Sequence, residues 1–156
     1  MRFPRNTVLY TGITLIAALF LLLSCGGAEN PRLDGTWTLT TVRGGGDDVG
    51  NGTYTISYST EVPIDENITT YFYSGEALMT IGSEDTTYKV SVEQRFGSGG
   101  FDFALYLCND LAKKYSDSIE MTGNLSGSSS ASGNYEGIGT EYDHFGTGSF
   151  FTRKEN

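Results

Sequence analysis

Histidine and tryptophan occur once each in the 156 residues, and cysteine twice. One imidazole, His144, cannot build a His-rich metal cluster, and two thiols cannot form a disulfide framework. Positive charge is scarce too: 10 Lys and Arg face 19 Asp and Glu, for a net charge of −9. Nucleic-acid binding needs a basic patch to displace phosphate counterions, so no nucleic acid is expected as a partner. Long apolar runs are missing as well. The longest, residues 13–23 (ITLIAALFLLL), has eleven residues, where a membrane-spanning helix needs about 20. Aromatic residues, in contrast, reach 13%, too many for a disordered acidic chain. The length allows one folded domain.

Reactive chemistry is equally sparse. A catalytic triad would have to use His144, which sits among turn residues in Tyr142-Asp143-His144-Phe145. Cys108 closes an apolar alternating stretch and reads as a small buried residue unconnected to His144. Adjacent carboxylates at Asp47-Asp48, Asp65-Glu66 and Glu84-Asp85 fall in expected turns, where acids are ordinary solvated residues. The Asp47-Asp48-Val49-Gly50-Asn51-Gly52 stretch lacks the alternating acids of an EF-hand, and the 44–46 glycine run has no adjacent Lys to cradle phosphate. The reading is therefore of a protein that is not an enzyme, with no cofactor and no metal.

The first 24 residues are a different object from the rest. Arg2 and Arg5 precede the apolar run, no acid accompanies them, and Ser24 and Cys25 follow it at once. A basic start and a short apolar segment mark a signal peptide. Leu22-Leu23-Ser24-Cys25 resembles the bacterial lipobox, which implies cleavage before Cys25 and acylation of that residue. The acyl chains then replace a transmembrane helix, each buried methylene contributing about 0.8 kcal/mol. Gly26, rather than Asp, follows the Cys, which implies lipid anchoring in the bacterial outer membrane. Residues 25–32 form a lipidated Cys and flexible tether, and residues 33–156 form the domain. Losing residues 1–24 removes Arg2 and Arg5 and no acid, so the net charge moves from −9 to −11 over the remaining 132 residues.

From Leu33 onward apolar residues alternate with polar ones, broken by Gly, Asn, Asp and Ser clusters, the pattern of consecutive antiparallel strands. Trp37, Leu39 and Thr41 share one face of a strand at 35–43, and Tyr54, Ile56 and Tyr58 one face of the next. A strand at 67–73 is expected to end in a tight Ser74-Gly75 turn, with Ala77, Met79 and Ile81 in a new strand beyond it. Tyr88, Val90 and Val92 follow. Phe101, Phe103, Leu105 and Leu107 then form the most apolar face in the chain. Residues 109–116 are the one helical turn, capped by Asn109 or Asp110. Further strands are expected at 118–125, 130–135 and 148–153. Eight or nine strands of five to nine residues with short turns make an all-β, up-and-down antiparallel barrel of about eight strands, because closure removes the two exposed sheet edges.

Leu33-Asp34-Gly35-Thr36-Trp37, at the start of the first strand, is similar to the opening signature of lipocalins, and the chain resembles small bacterial lipoproteins with a lipocalin-like domain. The resemblance implies that Gly35 and Trp37 close the barrel floor. It also implies that Arg153, in Ser149-Phe150-Phe151-Thr152-Arg153, stacks across Trp37. A small apolar ligand or lipid would occupy the barrel against Phe101, Phe103, Leu105 and Leu107. If those side chains fill the barrel instead, function falls to the surface, where Tyr71, Tyr73, Asp47 and Asp48 are expected to be exposed. A charge of −11 would then draw cationic protein partners.

Overall fold

The structure, a computed structural model, describes residues 32–156 except 45–47, 82 and 98–99; the side chains of 48, 49, 81, 97, 100 and 101 are likewise outside the described residues. The signal peptide, Cys25, the tether up to Pro31, and Asp47 therefore lie outside it.

Eight strands form a closed barrel: β1 (Gly35–Arg43), β2 (Asp48–Pro63), β3 (Thr69–Ile81), β4 (Glu84–Gly97), β5 (Gly100–Cys108), β6 (Ser118–Ser126), β7 (Ser130–Ile138) and β8 (Thr147–Lys154). Each is antiparallel to its neighbour in sequence, and β8 returns to pair with β1, so no strand edge is left open. The period-2 alternation does what it predicts. Trp37 and Leu39 point inward and are buried, whereas Thr38 between them is exposed. Phe103, Leu105 and Leu107 enter the core from β5, and Val90, Val92, Met79 and Met121 meet them from neighbouring strands. The outer wall is polar, with Thr38, Thr53 and Thr55 and a Glu76–Lys89 ion pair across β3 and β4. A barrel that spans a membrane carries an apolar outer band and a polar interior, the reverse of this arrangement.

Several strands are longer than their local sequence indicates. Ser74-Gly75 is not a turn: β3 runs through it for 13 residues, and β2 reaches 16. The reason lies across the ladder. A Cβ on Gly75 would sit 1.8 Å from the Thr55 carbonyl oxygen, so glycine here lets two strands approach closely within a continuous strand. Tyr58 keeps the face of Tyr54 and Ile56, opposite Tyr73, but is 48% exposed where β2 runs past the start of β1, and a bulge at Ser59 then shifts the β2–β3 register.

The longer connections carry the remaining structure. After β5, Asp110 caps a 3₁₀ turn at Leu111–Lys113 by accepting from the Ala112 N–H at 3.0 Å. Between β7 and β8 the chain makes one turn of α-helix (Gly139–Tyr142) and one 3₁₀ turn (Asp143–Phe145). That segment is entered at Gly139 (φ 82°) and left at Gly146 (φ 64°), both in the left-handed region.

Candidate functional site

The barrel has two unlike ends. At the floor the chain enters through Leu33, fully buried, whose carbonyl accepts the Trp37 indole N–H at 2.9 Å. The Trp37 ring stacks on Tyr54, with centroids 6.0 Å apart and planes within 9°. Thr152 donates to the Thr38 carbonyl at 2.6 Å, and its hydroxyl lies 3.0 Å from that of Tyr54. Burial pushes the Tyr54 phenol well above its ordinary pKa, only partly offset by Thr152.

The floor corrects one expectation. Trp37 points inward, whereas Arg153 pairs with Thr38, is exposed, and lies on the outer face of the wall; the structure does not bring the two together. The basic residue opposite Trp37 in the ladder is Lys154, one position later, whose ammonium donates to the Arg32 carbonyl at 3.3 Å. Gly35 stands beside it: a Cβ there would lie 3.1 Å from Lys154 Cε.

The mouth, at the other end, is plugged. Tyr142 is buried, and its hydroxyl accepts the Asn109 backbone N–H at 2.8 Å. Glu141 accepts from the Asn109 amide at 3.1 Å, and its own N–H donates to Asp117 at 3.1 Å. Phe145 packs on Tyr142 and is half-buried over the interior. Beneath it the void bounded by Met79, Leu107, Ile119, Met121 and Tyr135 measures about 10 Å³, room for about one water. The side chains expected to line a ligand cavity, Phe103, Leu105 and Leu107, are thus packed core. Phe101 pairs with Phe96 through its backbone, and its side chain is outside the described residues.

Among the described residues, two buried polar groups have no partner: Gln94 Nε2, although Gln94 Oε1 accepts from Tyr73, and the Tyr135 hydroxyl. Tyr135 is 3% exposed and borders the void under Phe145. Outside the plug, two open grooves of about 720 and 570 Å³ share Arg43. The smaller is lined by Glu84, Tyr88, Asn109, Glu141, His144 and Phe145, among others. Tyr73 is buried, contrary to the expectation of exposure, and Tyr71 is half-buried. The Cys108 thiol is buried against the Lys89 carbonyl rather than facing His144, and burial raises its pKa. Among the described residues no three His, Cys, Asp or Glu side chains stand close enough to hold a metal ion.

Comparison with protein-family models, curated proteins and solved structures finds no match for the chain.

The plug is what sequence reasoning missed. Its signal was present: Tyr142 and Phe145, three residues apart, are bracketed by Gly139 and Gly146.

Proposed function

We propose that this protein is a lipoprotein of the bacterial envelope, cut before Cys25, acylated there and held to the outer membrane, in which a lipocalin-like barrel acts as a filled scaffold. Its mouth end binds cationic partners. The observation that carries the reading is the interior void of about 10 Å³, far below the roughly 300 Å³ at which small-ligand pockets begin. Charge supports the same end. Glu84, Asp85, Asp110, Asp117, Glu141 and Asp143 gather around the mouth, at the end of the barrel opposite Leu33, where the tether joins. Long-range attraction from such a surface raises the rate of encounter with basic proteins and weakens with salt.

The test has two parts. Cys25→Ser should release the protein from the membrane fraction, and mass spectrometry should find acyl chains on the native Cys25 only. Immobilised native protein should then retain basic peptides at low salt and lose them at high salt; retention that ignores salt would defeat the reading.

A second reading, a small apolar ligand in the barrel, is favoured by Tyr135, which borders the void and whose buried hydroxyl is unpartnered. It requires the plug to move. Saturable displacement of a hydrophobic dye from the native protein would select it over the filled scaffold.

A further inference from the structure

Seven large apolar side chains are exposed among the described residues, and three of them, Tyr58 (48%), Val62 (42%) and Ile64 (59%), fall within one short stretch of β2 and its turn. Leu78, Leu111, Tyr115 and Phe151 lie on other elements, as isolated apolar side chains on soluble proteins commonly do. The three lie on either side of the bulge at Ser59: Tyr58 pairs with Tyr73 before it, and Val62 with Thr70 after it, on the opposite face of the ribbon. From Ile56, the residue opposite Gly35, β2 continues through the bulge to Pro63, beyond the start of β1, and β4 accompanies the hairpin as far as Phe96 opposite Thr69, so the Ile64–Ile68 turn lies at the floor end of the barrel. Its tip is ordered: the Ile64 and Asp65 N–H groups both donate to the Ile68 carbonyl, at 2.8 and 3.3 Å, and Asp65 accepts from the Asn67 N–H at 2.7 Å. A tip held in this way presents Ile64 without further loss of chain entropy on contact.

The floor is also where the chain enters. Cys25 and Leu33 are eight residues apart, a reach of at most about 28 Å when fully extended. The floor is less acidic than the mouth. Arg32, Arg95, Arg153 and Lys154 face Asp34, Glu61, Asp65, Glu66, Asp102 and Glu155 there, four bases against six acids, and the larger acidic excess sits at the mouth. A bilayer surface therefore meets less repulsion at the floor than at the mouth, and Asp65 and Glu66 at the tip favour an uncharged headgroup over an anionic one.

We propose that the β2–β3 hairpin tip is a second membrane contact, Val62 and Ile64 dipping into the interface of the bilayer that holds the acyl chains, with Tyr58 above them at headgroup depth. The proposal rests on the reading of Cys25 as acylated. A tether this short holds the tip at high effective concentration near the lipid, so a patch too small to bind alone becomes occupied. The contact fixes the barrel with its floor toward the membrane and its acidic mouth away from it.

The test uses the full acylated chain reconstituted in phosphatidylcholine vesicles containing brominated lipid. A bimane fluorophore is attached to I64C and, separately, to L111C on the mouth-end 3₁₀ turn; both sites are exposed, and the native Cys108 is buried. Circular dichroism checks that each variant is folded. The expected result is severalfold stronger bromine quenching at position 64 than at 111, insensitive to salt, with quenching also at V62C. Equal quenching at 64 and 111 overturns the proposal. Mass analysis of the Cys25 peptide separates the two readings. An acylated Cys25 with position 64 unquenched leaves the anchor standing and removes the hairpin contact. An unmodified Cys25 with position 64 quenched removes the anchor and leaves the contact, and failure of both removes both.

Discussion

The ammonium of Lys114 lies 2.8 Å from Glu93 Oε1 on the outside of the barrel wall, and the two side chains are only 15% and 18% exposed. Three rings surround the cation: Tyr115 at 4.7 Å from its centroid, and Phe72 and Tyr106 at 5.4 Å each. Ser91 accepts from the same ammonium at 2.9 Å, and Tyr115 donates to the same carboxylate. This pair fastens the β5–β6 connection over the wall, which is why Tyr106 and Cys108 are buried although they point outward from β5.

Lys114→Met keeps the aliphatic stem and removes the charge, leaving the Glu93 carboxylate in a partly dry site with only the Tyr115 hydroxyl for a partner. The expected cost is about 2 kcal/mol, between that of an exposed ion pair and that of a fully buried one. Urea unfolding should show the midpoint fall with its slope unchanged. Adding Glu93→Gln should recover part of the loss, because the stranded charge is gone; a double variant as unstable as the sum of the singles would show that the two residues do not interact.

Gly75→Ala should be among the most damaging small substitutions in the chain. The new methyl would lie 1.8 Å from the Thr55 carbonyl oxygen and 2.9 Å from its carbon, both backbone atoms that cannot swing aside. Separating β2 from β3 there costs about 3 kcal/mol. Ser74→Ala, one residue earlier and exposed, loses only the 2.8 Å hydrogen bond between its hydroxyl and that of Ser59 and should stay within about 1 kcal/mol. Thermal denaturation of the two variants side by side measures the contrast.

The same glycine shows where sequence reading stops. The alternation of Trp37 with Leu39, and of Phe103 with Leu105 and Leu107, is local information, and it led directly to strands, faces and a closed barrel. What Gly75 means depends on Thr55, twenty positions earlier, so beside Ser74 it reads as a turn. Arg153 and Lys154 differ by one step of strand parity, and parity at a strand end is settled by pairing: Trp37 faces Lys154 across the ladder. Tyr106 and Cys108 are buried by a connection that crosses the outer wall, which no period along β5 can reveal. Whether the barrel is hollow depends on how Phe103, Met79, Met121 and Tyr135 fit together, a three-dimensional property of side-chain volume.

Stability should fall on the alkaline side, between about pH 10 and pH 12. Burial raises the Tyr142 phenol to about 12, partly countered by the N–H bond it accepts from Asn109. An unfolded tyrosine ionises near 10, so above that pH the unfolded state has released a proton that the folded state still holds. Rising pH therefore drains stability until the folded phenol ionises as well. Tyr54 and Tyr106 are shifted the same way by burial and steepen the loss. Tyr142→Phe should cost about 1 kcal/mol at neutral pH through the lost acceptor and should flatten the alkaline decline, as followed by urea midpoints across the pH range. An unchanged alkaline slope would remove Tyr142 from this account.

Phe145 separates the void under the plug from the 570 Å³ groove outside it, since it lines both. Phe145→Ala should join them into one apolar opening walled by Met79, Leu107, Ile119 and Met121. Because the ring is only half-buried, the expected loss of stability is about 1 to 2 kcal/mol, below the 3 to 5 of a fully buried Phe. The variant should acquire saturable binding of a hydrophobic dye that the native protein lacks. Adding Tyr135→Phe then asks what the unpartnered hydroxyl does. A pure hydrocarbon such as benzene should bind the single and double variants alike, because it offers that hydroxyl nothing. An amphiphile with a carbonyl should bind the double variant about tenfold more weakly, the loss of one hydrogen bond in a dry site. Calorimetric titration of both ligands reads the difference. Equal weakening of the two would show that Tyr135 shapes the opening only through the position of its ring over Gly148.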